Sequence, residues 1–234
     1  MKIEFLYPDF YLYGEEAVPE FLKKTIPEAE IIFDNIGEEP RFVSEKPDFI
    51  YMGGMSEKNR DRSIDALMPY KDKLNELISS GVHGLFTSTS LDCLGTKITG
   101  DNYEKKALGL FPFHSVEKLM KRYHGLFVGK YDSITIIGFK SQFTEGFADT
   151  SDFPYFIKTD RGIGLNKGAD FEGVRRNNFF ATYSLGPFII QNPSFTKKIL
   201  SEANGKEVVI PFEKLAFENY ERRIKEFYDP KKDL

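Results

Sequence analysis

The hydrophobic and polar positions in the first hundred residues follow two periods. Short apolar runs that end at glycine, proline or a charged residue are typical of buried strands, and apolar positions three and four apart indicate amphipathic helices. Residues 61–80 form the clearest helix, because their apolar positions follow a period of about 3.6 residues and Ser80-Gly81 ends the run. The pattern predicts helices at 15–25 and 61–80, and strands at 2–6, 30–33, 48–52 and 84–87.

Strands and helices that alternate along a chain build a parallel sheet with crossover helices. Later runs at 125–129, 133–139 and 178–183 are rich in β-formers and are separated by glycine, aspartate and asparagine. These later strands are predicted to be antiparallel, and two helices, at 193–203 and 212–228, follow them. The predicted fold class is α/β: a doubly wound, mostly parallel sheet flanked by helices, with antiparallel additions in the C-terminal half.

One domain is expected over residues 1–234, with a core at about 1–205 and a helical extension at 206–234. No internal repeat, low-complexity linker or change in composition divides the sequence. Hydrophobic residues make up 41 % of it and charged residues 29 %, which is enough apolar material for a core of ordinary size. The last six residues, D-P-K-K-D-L, are expected to be loose.

The charge balance and the apolar runs exclude several kinds of partner. The net charge is −4, whereas nucleic-acid-binding domains are normally basic. No apolar run reaches the roughly 20 residues that span a bilayer, and the N-terminus has no signal-peptide cleavage site. With a single cysteine, Cys93, no intrachain disulfide can form. We therefore expect a cytoplasmic protein with neither a nucleic-acid nor a membrane partner.

No cofactor or metal is predicted. The three histidines are scattered and have no clustered carboxylates beside them, so they do not form a ligand set. The phosphate-binding pattern G-x-x-x-x-G-K-[ST] is absent.

The stretch H-G-L-F-T-S-T-S-L-D-C-L-G, residues 83–95, is laid out like a strand-to-helix turn that presents a nucleophile. The glycines expected beside such a nucleophile are missing, and Thr89 and Ser90 stand in their place. Gly53-Gly54 follows the preceding strand, where backbone N–H groups can form an oxyanion hole, although a tight turn is the commoner reason for such a pair. Ligands of open parallel sheets bind beyond these strand ends.

Several motifs occur in the same order as in a known family. In this chain they are L-Y-P-D-F-Y-L-Y-G-E (6–15), I-Y-M-G-G (50–54), F-T-S-T-S-L-D-C-L-G (86–95), R-Y-H-G (122–125), I-I-G-F (136–139), G-I-G-L-N-K-G (162–168), E-G-V (172–174) and A-T-Y-S-L-G-P (181–187). The chain thereby resembles the cobyric-acid-synthase-type glutamine amidotransferases over roughly residues 3–200, and in particular the GatD-type subunit of lipid II isoglutaminyl synthase. The resemblance implies a class I glutamine amidotransferase fold.

Two departures from the family bear on the chemistry. Members attack the glutamine side-chain amide with a cysteine thiolate that a histidine activates; Ser88 stands at the cysteine position and Leu185 at the histidine position. A serine hydroxyl needs a general base at neutral pH, and leucine cannot act as one. The stiff Thr89 also suggests that the strained turn geometry is relaxed. The hydroxyls of residues 87–90 would then cap the next helix.

The remaining candidates for catalysis have weaker support. His83 lies five residues before Ser88 along a strand, about 16 Å away. The roles of His114 and His124 stay open, although ordinary surface or core histidines are the simpler interpretation. Cys93 is expected to be a small buried apolar residue.

The resemblance also implies binding residues and a partner. The family's R-Y-x-G arginine helps to hold the α-carboxylate of glutamine, and Arg122 matches it, so Gly53, Gly54, Thr89 and Arg122 are the candidate site for glutamine or a related amino acid. A structural role for Arg122 is the alternative. Relatives pass ammonia to a Mur-ligase-like synthetase, so such a subunit is the candidate partner.

Three hypotheses result. The first is a pseudoenzyme, a catalytically degenerate amidotransferase-like subunit or binding module without glutaminase activity. The second is an active amidotransferase or other amide hydrolase with a relocated nucleophile and base. The third is a small-molecule sensor that uses the former glutamine pocket. They differ in whether Ser88 or Cys93 meets a histidine beside an open pocket.

Overall fold

The computed structural model describes residues 1–232, which contain three β-sheets and six α-helices. The helices are α1 (Val18–Thr25), α2 (Glu57–Leu67), α3 (Lys71–Ser79), α4 (Phe188–Gln191), α5 (Pro193–Asn204) and α6 (Glu213–Tyr228). The strands are β1 (Lys2–Leu6), β2 (Glu30–Asp34), β3 (Phe49–Met52), β4 (His83–Thr87), β5 (Lys97–Thr99), β6 (Glu104–Lys106), β7 (Phe113–Glu117), β8 (Tyr123–Tyr131), β9 (Ile134–Gln142), β10 (Thr144–Ala148), β11 (Ile157–Gly162), β12 (Phe171–Glu172), β13 (Val174–Arg176) and β14 (Phe179–Thr182).

The central sheet has six strands in the order β13-β14-β4-β3-β1-β2. Its members are parallel except β13, which pairs antiparallel with β14 at one edge. Strands that are covered on both faces are apolar throughout, and all four residues of β3 are buried. The α/β class and the parallel-rich sheet expected from the sequence are confirmed.

Helices cover both faces of this sheet, because alternate strand residues point to opposite sides. Ile50 and Met52 of β3 pack with apolar residues of α2 and α3. Phe49 and Tyr51 point the other way and pack with α1, α4 and α5. This arrangement is the doubly wound architecture expected from the sequence.

The second half of the chain adds two four-stranded sheets, in the orders β10-β7-β5-β6 and β12-β11-β8-β9. The pairs β8–β9, β8–β11 and β7–β10 are antiparallel, as expected for this half. Helix α6 packs on β8 and β9 through Tyr220 and Phe227, which contact Val128 and Ile137. No helix within residues 1–232 is both long and apolar enough to cross a membrane.

Two expectations about the elements were wrong, and a third was right on only one side of the strand. The helix predicted at 61–80 is two helices, because Pro69 lies in a 3-10 turn at Met68–Tyr70 that separates α2 from α3. The helix predicted at 15–25 begins as a 3-10 turn, and α1 starts only at Val18. The strand expected at 178–183 to be antiparallel is β14, which is antiparallel to β13 but parallel to β4. The long connection between β4 and β14 returns the chain to the end of the sheet at which β4 begins, so the two strands run in the same direction.

The C-terminal segment is more ordered than expected. Arg161 donates hydrogen bonds to the carbonyl oxygens of Phe227 (2.6 Å), Asp229 (2.9 Å) and Lys232 (3.0 Å). A charged donor that binds three carbonyls holds the end of α6 and the residues after it. The tail is therefore held as far as Lys232, and Asp233 and Leu234 lie outside the described residues.

A buried ion network joins the central sheet to the second one. Arg60 on α2 is fully buried and donates to Glu117 (2.7 Å) at the end of β7, to Asp92 (3.3 Å) and to Asp61 (2.8 Å). Asp92 also accepts hydrogen bonds from Ser115 and Tyr183, at 2.6 Å each, and from Thr144. Burial lowers the pKa of Arg60, but the three carboxylates outweigh it and raise that pKa above its usual value. The arginine is therefore charged inside the protein.

Replacing Arg60 tests how much the fold depends on this network. Arg60→Met removes the cation and leaves Asp92 and Glu117 buried without it, so we expect a loss of about 3–5 kcal/mol in the free energy of unfolding. Urea denaturation measures it. Lys24→Ala, which breaks the exposed Lys24–Glu20 pair, is the control and should cost no more than about 1 kcal/mol. A loss below about 1 kcal/mol for Arg60→Met would contradict the network's importance.

Candidate functional site

The site is the edge of the central sheet where β3, β4 and β14 end. Parallel strands end on the same side, so the segments after Met52, Thr87 and Thr182 meet there. Residues 53–56, 88–94 and 183–187 supply these segments. They contain five of the six positions singled out in the sequence, Gly53, Gly54, Ser88, Thr89 and Leu185.

Ser88 has a conformation that side-chain-bearing residues rarely adopt. It is the first residue after β4 and has φ = 54°, in the left-handed region, and a 3-10 helix runs from it to Leu94. A left-handed residue with a side chain costs about 1–2 kcal/mol. The chain therefore makes a sharp strand-to-helix turn at Ser88 without glycines beside it. The expectation of a relaxed turn was wrong.

Hydroxyl groups hold the turn in place by binding the neighbouring strand end. Thr89 Oγ1 donates to the carbonyl of Met55 (2.7 Å) and accepts from the Met55 amide (3.1 Å). Ser90 Oγ contacts the carbonyl oxygens of Met52 (3.0 Å) and Thr87 (2.6 Å). The side chain of Thr87 makes no capping bond to the 3-10 helix. The prediction that these hydroxyls cap the helix was therefore wrong, because Thr89 and Ser90 bind the end of β3 and the loop after it, and Thr87 binds Glu15.

The glycine pair after β3 permits a close approach to Ser88. A Cβ atom on Gly54 would lie 2.7 Å from the Cβ of Ser88, which is closer than carbon atoms can pack. A Cβ atom on Gly53 would lie 3.0 Å from the Tyr11 ring. Only glycine fits at position 54, where an oxyanion loop would have to lie. The next amide, that of Met55, already donates to Thr89, so it is not directed at a ligand.

Leu185 lies three residues after β14 and is 6 % exposed. Its amide donates to the carbonyl of Phe139 (2.7 Å), which ties the segment to β9. The next residue, Gly186, lies directly against the carboxylate of Glu15. Position 185 is thus held at the same edge of the sheet as Ser88, and its side chain carries no group that can move a proton.

Glu15 is a residue of this site that sequence reasoning missed, although it ends the first motif of the resemblance. It is fully buried, and its carboxylate accepts hydrogen bonds from Thr87 Oγ1 (2.9 Å) and from the Tyr51 hydroxyl. Burial raises the pKa of Glu15 to about 7, while the bonds from Tyr51 and Thr87 oppose the rise. Glu15 therefore links the turn at Thr87 to the segment at Gly186. A glutamate near the start of a helix is ordinarily interpreted as a solvated charge. No local sequence pattern therefore predicts that Glu15 is buried at this site.

The nucleophile candidates are covered and have no base. Ser88 is 1 % exposed, and Cys93 is fully buried, with its Sγ 3.9 Å from the Arg60 carbonyl. Burial raises the pKa of the Cys93 thiol, which disfavours the thiolate. Within residues 1–232 no histidine forms a hydrogen bond with either residue. Attack on an amide by either group would need a general base, and none is hydrogen-bonded to them in the described residues.

The three histidines have other surroundings. His114 Nδ1 contacts Asp149 Oδ1 at 2.6 Å, and its ring stacks on Phe147. His124 Nδ1 lies 3.0 Å from Ser141 Oγ. His83 stands at the start of β4, at the opposite end from Ser88, and burial lowers its pKa.

Arg122 does not join the other candidate ligand residues through any described contact. It is exposed and its guanidinium lies over the Phe143 ring, 4.5 Å from the centroid. The described residues contain no cluster of three or more metal-ligating His, Cys, Asp or Glu side chains. The structure thus brings Gly54, Ser88 and Thr89 into direct contact with one another or with the same loop, and leaves Arg122 on the surface.

Comparisons with known proteins agree with the fold described above. The chain is 30 % identical over 186 residues to the glutamine-hydrolysing lipid II isoglutaminyl synthase subunit GatD of Staphylococcus aureus strain N315, which covers 79 % of this chain and 74 % of that protein. A crystal structure of a glutamine amidotransferase superimposes with a TM-score of 0.52 at 13 % identity, covering 86 % of this chain and 98 % of that one. No protein-family model matches the chain.

The left-handed conformation of Ser88 can be tested by comparing glycine with alanine. Ser88→Gly should be more stable than Ser88→Ala by about 1–2 kcal/mol, because only glycine adopts positive φ without strain. At Lys198, inside α5, the order should reverse, and glycine should be less stable than alanine by about 1 kcal/mol. Chemical denaturation of the four variants measures both differences. Equal stability of the two Ser88 variants would contradict the turn geometry.

The buried carboxyl of Glu15 predicts a pH dependence. Because its pKa in the folded protein is raised to about 7, its contribution to stability is complete below the usual carboxyl pKa and is lost as the pH rises through about 7. Glu15→Gln removes this titration, so its melting temperature relative to the parent should rise between pH 5 and pH 8. The exposed neighbour Glu16→Gln is the control and should show no such trend. A pH-independent difference for Glu15→Gln would exclude the raised pKa.

Proposed function

This chain belongs to the GatD-like family of glutamine amidotransferase-like proteins, and from that premise we propose that it is a non-hydrolytic member. In this proposal it is a pseudoenzyme of the cobyric-acid-synthase type that keeps the scaffold as a subunit or binding module. The main support for this proposal comes from two positions. Ser88 has a hydroxyl where the family has a thiol, and Leu185 has an alkyl group where the family has an imidazole.

The chemistry of amide cleavage supports this conclusion. A neutral serine is a weak nucleophile and needs a positioned base, and general acid–base catalysis contributes roughly a factor of 10²–10⁴ in rate. The carboxylates described at this edge are Glu15, Asp92 and Glu172, and each already accepts hydrogen bonds from neighbouring residues. All three are fully buried, and none of them forms a hydrogen bond with Ser88 that would let it act as its base.

Access to the turn supports the same conclusion. An attacked amide carbon must come within bonding reach of Ser88 Oγ, and Ser88 is 1 % exposed. Gly54 lies in contact with its Cβ, and Leu185 beside the same edge is nearly buried as well. The amide of Met55, next in the loop, is paired with Thr89. Nucleophile access and oxyanion stabilisation are both restricted.

The relative's name suggests the kind of partner. It is described as a subunit of a synthase, and we propose that the present chain likewise acts beside a synthetase, of the Mur-ligase-like type that the family resemblance implies. We further propose that residues 1–234 act as one unit, since α6 packs on β8 and β9. A non-hydrolytic subunit would then contribute surface and stability to the assembly and no ammonia.

A second candidate function rests on the conformation of Ser88. Its positive φ preserves the strained turn of an enzyme nucleophile, and strained residues cluster at active sites. An amide hydrolase that uses Ser88 is therefore the alternative. It requires a base that the described residues do not bring to Ser88.

An assay of ammonia release from glutamine decides between the two. We expect the purified chain to release ammonia no faster than its Ser88→Ala variant, alone or with a synthetase subunit of the same organism, because nucleophile and base are both absent. The GatD subunit of Staphylococcus aureus with its own partner serves as the positive control. Glutamine turnover by the parent chain that disappears in Ser88→Ala would overturn the proposal and establish the alternative.

Calorimetry separates an interaction module from an amino-acid sensor. We expect no measurable heat with glutamine, glutamate or asparagine, since Arg122 lies over Phe143 and makes no described contact with the covered turn. Saturable heat that disappears in Arg122→Ala would show that the amino-acid site persists and would favour sensing. Arg62→Ala, which removes another arginine lying over a phenylalanine ring, is the matched control.

A further inference from the structure

The loop between β7 and β8 displays apolar side chains to solvent. Its five residues, K-L-M-K-R at 118–122, are all exposed and are called the 118–122 tip below. Met120 is 99 % exposed, more than any other large hydrophobic residue in the described part of the chain, and Leu119 is 56 % exposed. Single exposed apolar residues are common, but two adjacent ones at the apex of a loop form a small projecting surface.

Backbone hydrogen bonds fix the shape of the tip. The amide of Lys121 donates to the carbonyl of Lys118 (2.8 Å), which closes a tight turn with Leu119 and Met120 at its centre. The amide of Lys118 donates to the carbonyl of Phe143 (2.9 Å) and anchors the turn to the neighbouring chain segment. The residue before it, Glu117, is bound to the buried Arg60. Leu119 and Met120 therefore project from a turn whose first residues are anchored by hydrogen bonds.

Positive charges surround this apolar pair. Lys118, Lys121, Arg122 and, beside them, Lys167 form no ion pair within residues 1–232. Lys121 and Lys167 both lie over the Tyr123 ring, each 5.6 Å from its centroid. The acid beside them is Glu145, which accepts from the Lys167 amide (3.3 Å). In a chain of net charge −4, this cluster is a local excess of positive charge.

We propose that the 118–122 tip inserts into the headgroup region of an anionic phospholipid bilayer as a reversible, peripheral contact. Apolar residues that enter the interface while flanking lysine and arginine residues meet anionic headgroups are the pattern of such contacts. Long cationic side chains can keep their charge in the headgroups while the chain tip goes deeper. The contact replaces the expectation, drawn from composition alone, that a membrane is not a partner.

An acidic protein surface is the competing partner, and the shape of the tip disfavours it. Protein interfaces take their energy from aromatic and arginine anchors that fill pockets, and Leu119 and Met120 stand on a convex turn. A bilayer accepts a convex apolar tip without a matching pocket. Two flexible aliphatic side chains and a ring of unpaired cations therefore fit a lipid surface better than a pocketed protein.

Vesicle co-sedimentation of the full chain tests this proposal. The parent should sediment with equimolar phosphatidylglycerol–phosphatidylcholine vesicles at least about tenfold better than with pure phosphatidylcholine, and high salt should weaken the binding. Lys118→Gln/Lys121→Gln should lose about fivefold in partition coefficient for each charge removed. Leu119→Ser/Met120→Ser should lose about tenfold or more, because both apolar side chains are removed from the interface.

The matched control is Val209→Ser/Leu215→Ser. These two residues are 69 % and 56 % exposed on a different part of the surface, and their replacement should leave vesicle binding unchanged. Failure of the parent to bind anionic vesicles would overturn the proposal. So would equal binding by the parent and Leu119→Ser/Met120→Ser, since the tip would then not insert. Binding to polyglutamate as strong as to vesicles would reassign the cluster to an acidic macromolecule.

A fluorescent label gives a second measurement that does not depend on affinity. The native cysteine is buried, so a polarity-sensitive dye would attach selectively to Met120→Cys. Its emission should shift to the blue when anionic vesicles are added, whereas the same dye on Val209→Cys should not respond. Equal emission from both labels in the presence of vesicles would contradict insertion. Neither measurement involves Ser88, so the outcome is independent of the glutaminase assay.

Discussion

Arg60 is charged at a place where none of its side chain reaches solvent, so the surrounding structure must supply its counter-charges. Asp92 comes from the 3-10 helix that follows Ser88, and Glu117 comes from the end of β7. Tyr183, after β14, also binds Asp92. The same ion network therefore joins α2, the turn at the sheet edge and the second sheet, and none of these parts can shift without exposing an unpaired charge.

This constraint explains how the turn at Ser88 keeps a strained shape. The 3-10 helix that begins at Ser88 carries Asp92 into the network, while Thr89 and Ser90 bind the strand end beside it. Gly54 leaves room for the close approach. The conformation is thus determined by hydrogen bonds and packing around the turn. The proposed loss of reactivity concerns the side chains at positions 88 and 185, which the backbone geometry of the turn does not determine.

The same ion network also anchors the residue that precedes the 118–122 tip. Glu117 is bound to Arg60, and the next residue, Lys118, begins the tip. Apolar side chains that a loop exposes to water are unfavourable unless a partner covers them. In this chain the residue before the loop is held by a buried ion pair, which keeps the loop in place. The sheet edge and the tip are therefore joined through a few residues of β7 and α2, although they are proposed to serve different partners.

The sequence by itself determined the local features of this protein. The pattern of apolar residues located five of the six strands of the central sheet to within one residue but missed β13, and the order of the motifs gave the family that the GatD relative confirms. The absence of a thiol and an imidazole from two motif positions could also be read directly. Each of these is a property of neighbouring residues, so no knowledge of the folded chain is needed.

Only the tertiary structure decided the features that depend on distant residues. Glu15 bonds with Tyr51 and Thr87, which are 36 and 72 positions away, and no local pattern marks such a bond. The positive φ of Ser88 is imposed by residues of another strand, and β14 is parallel to β4 because of how a long connection returns. Short strands such as β5 and β6 carry charged residues and obtain their order from pairing. Strand pairing and burial bring together residues that are far apart in the sequence. The periodicity of apolar residues depends only on residues that are close together in the sequence, so it cannot predict such contacts.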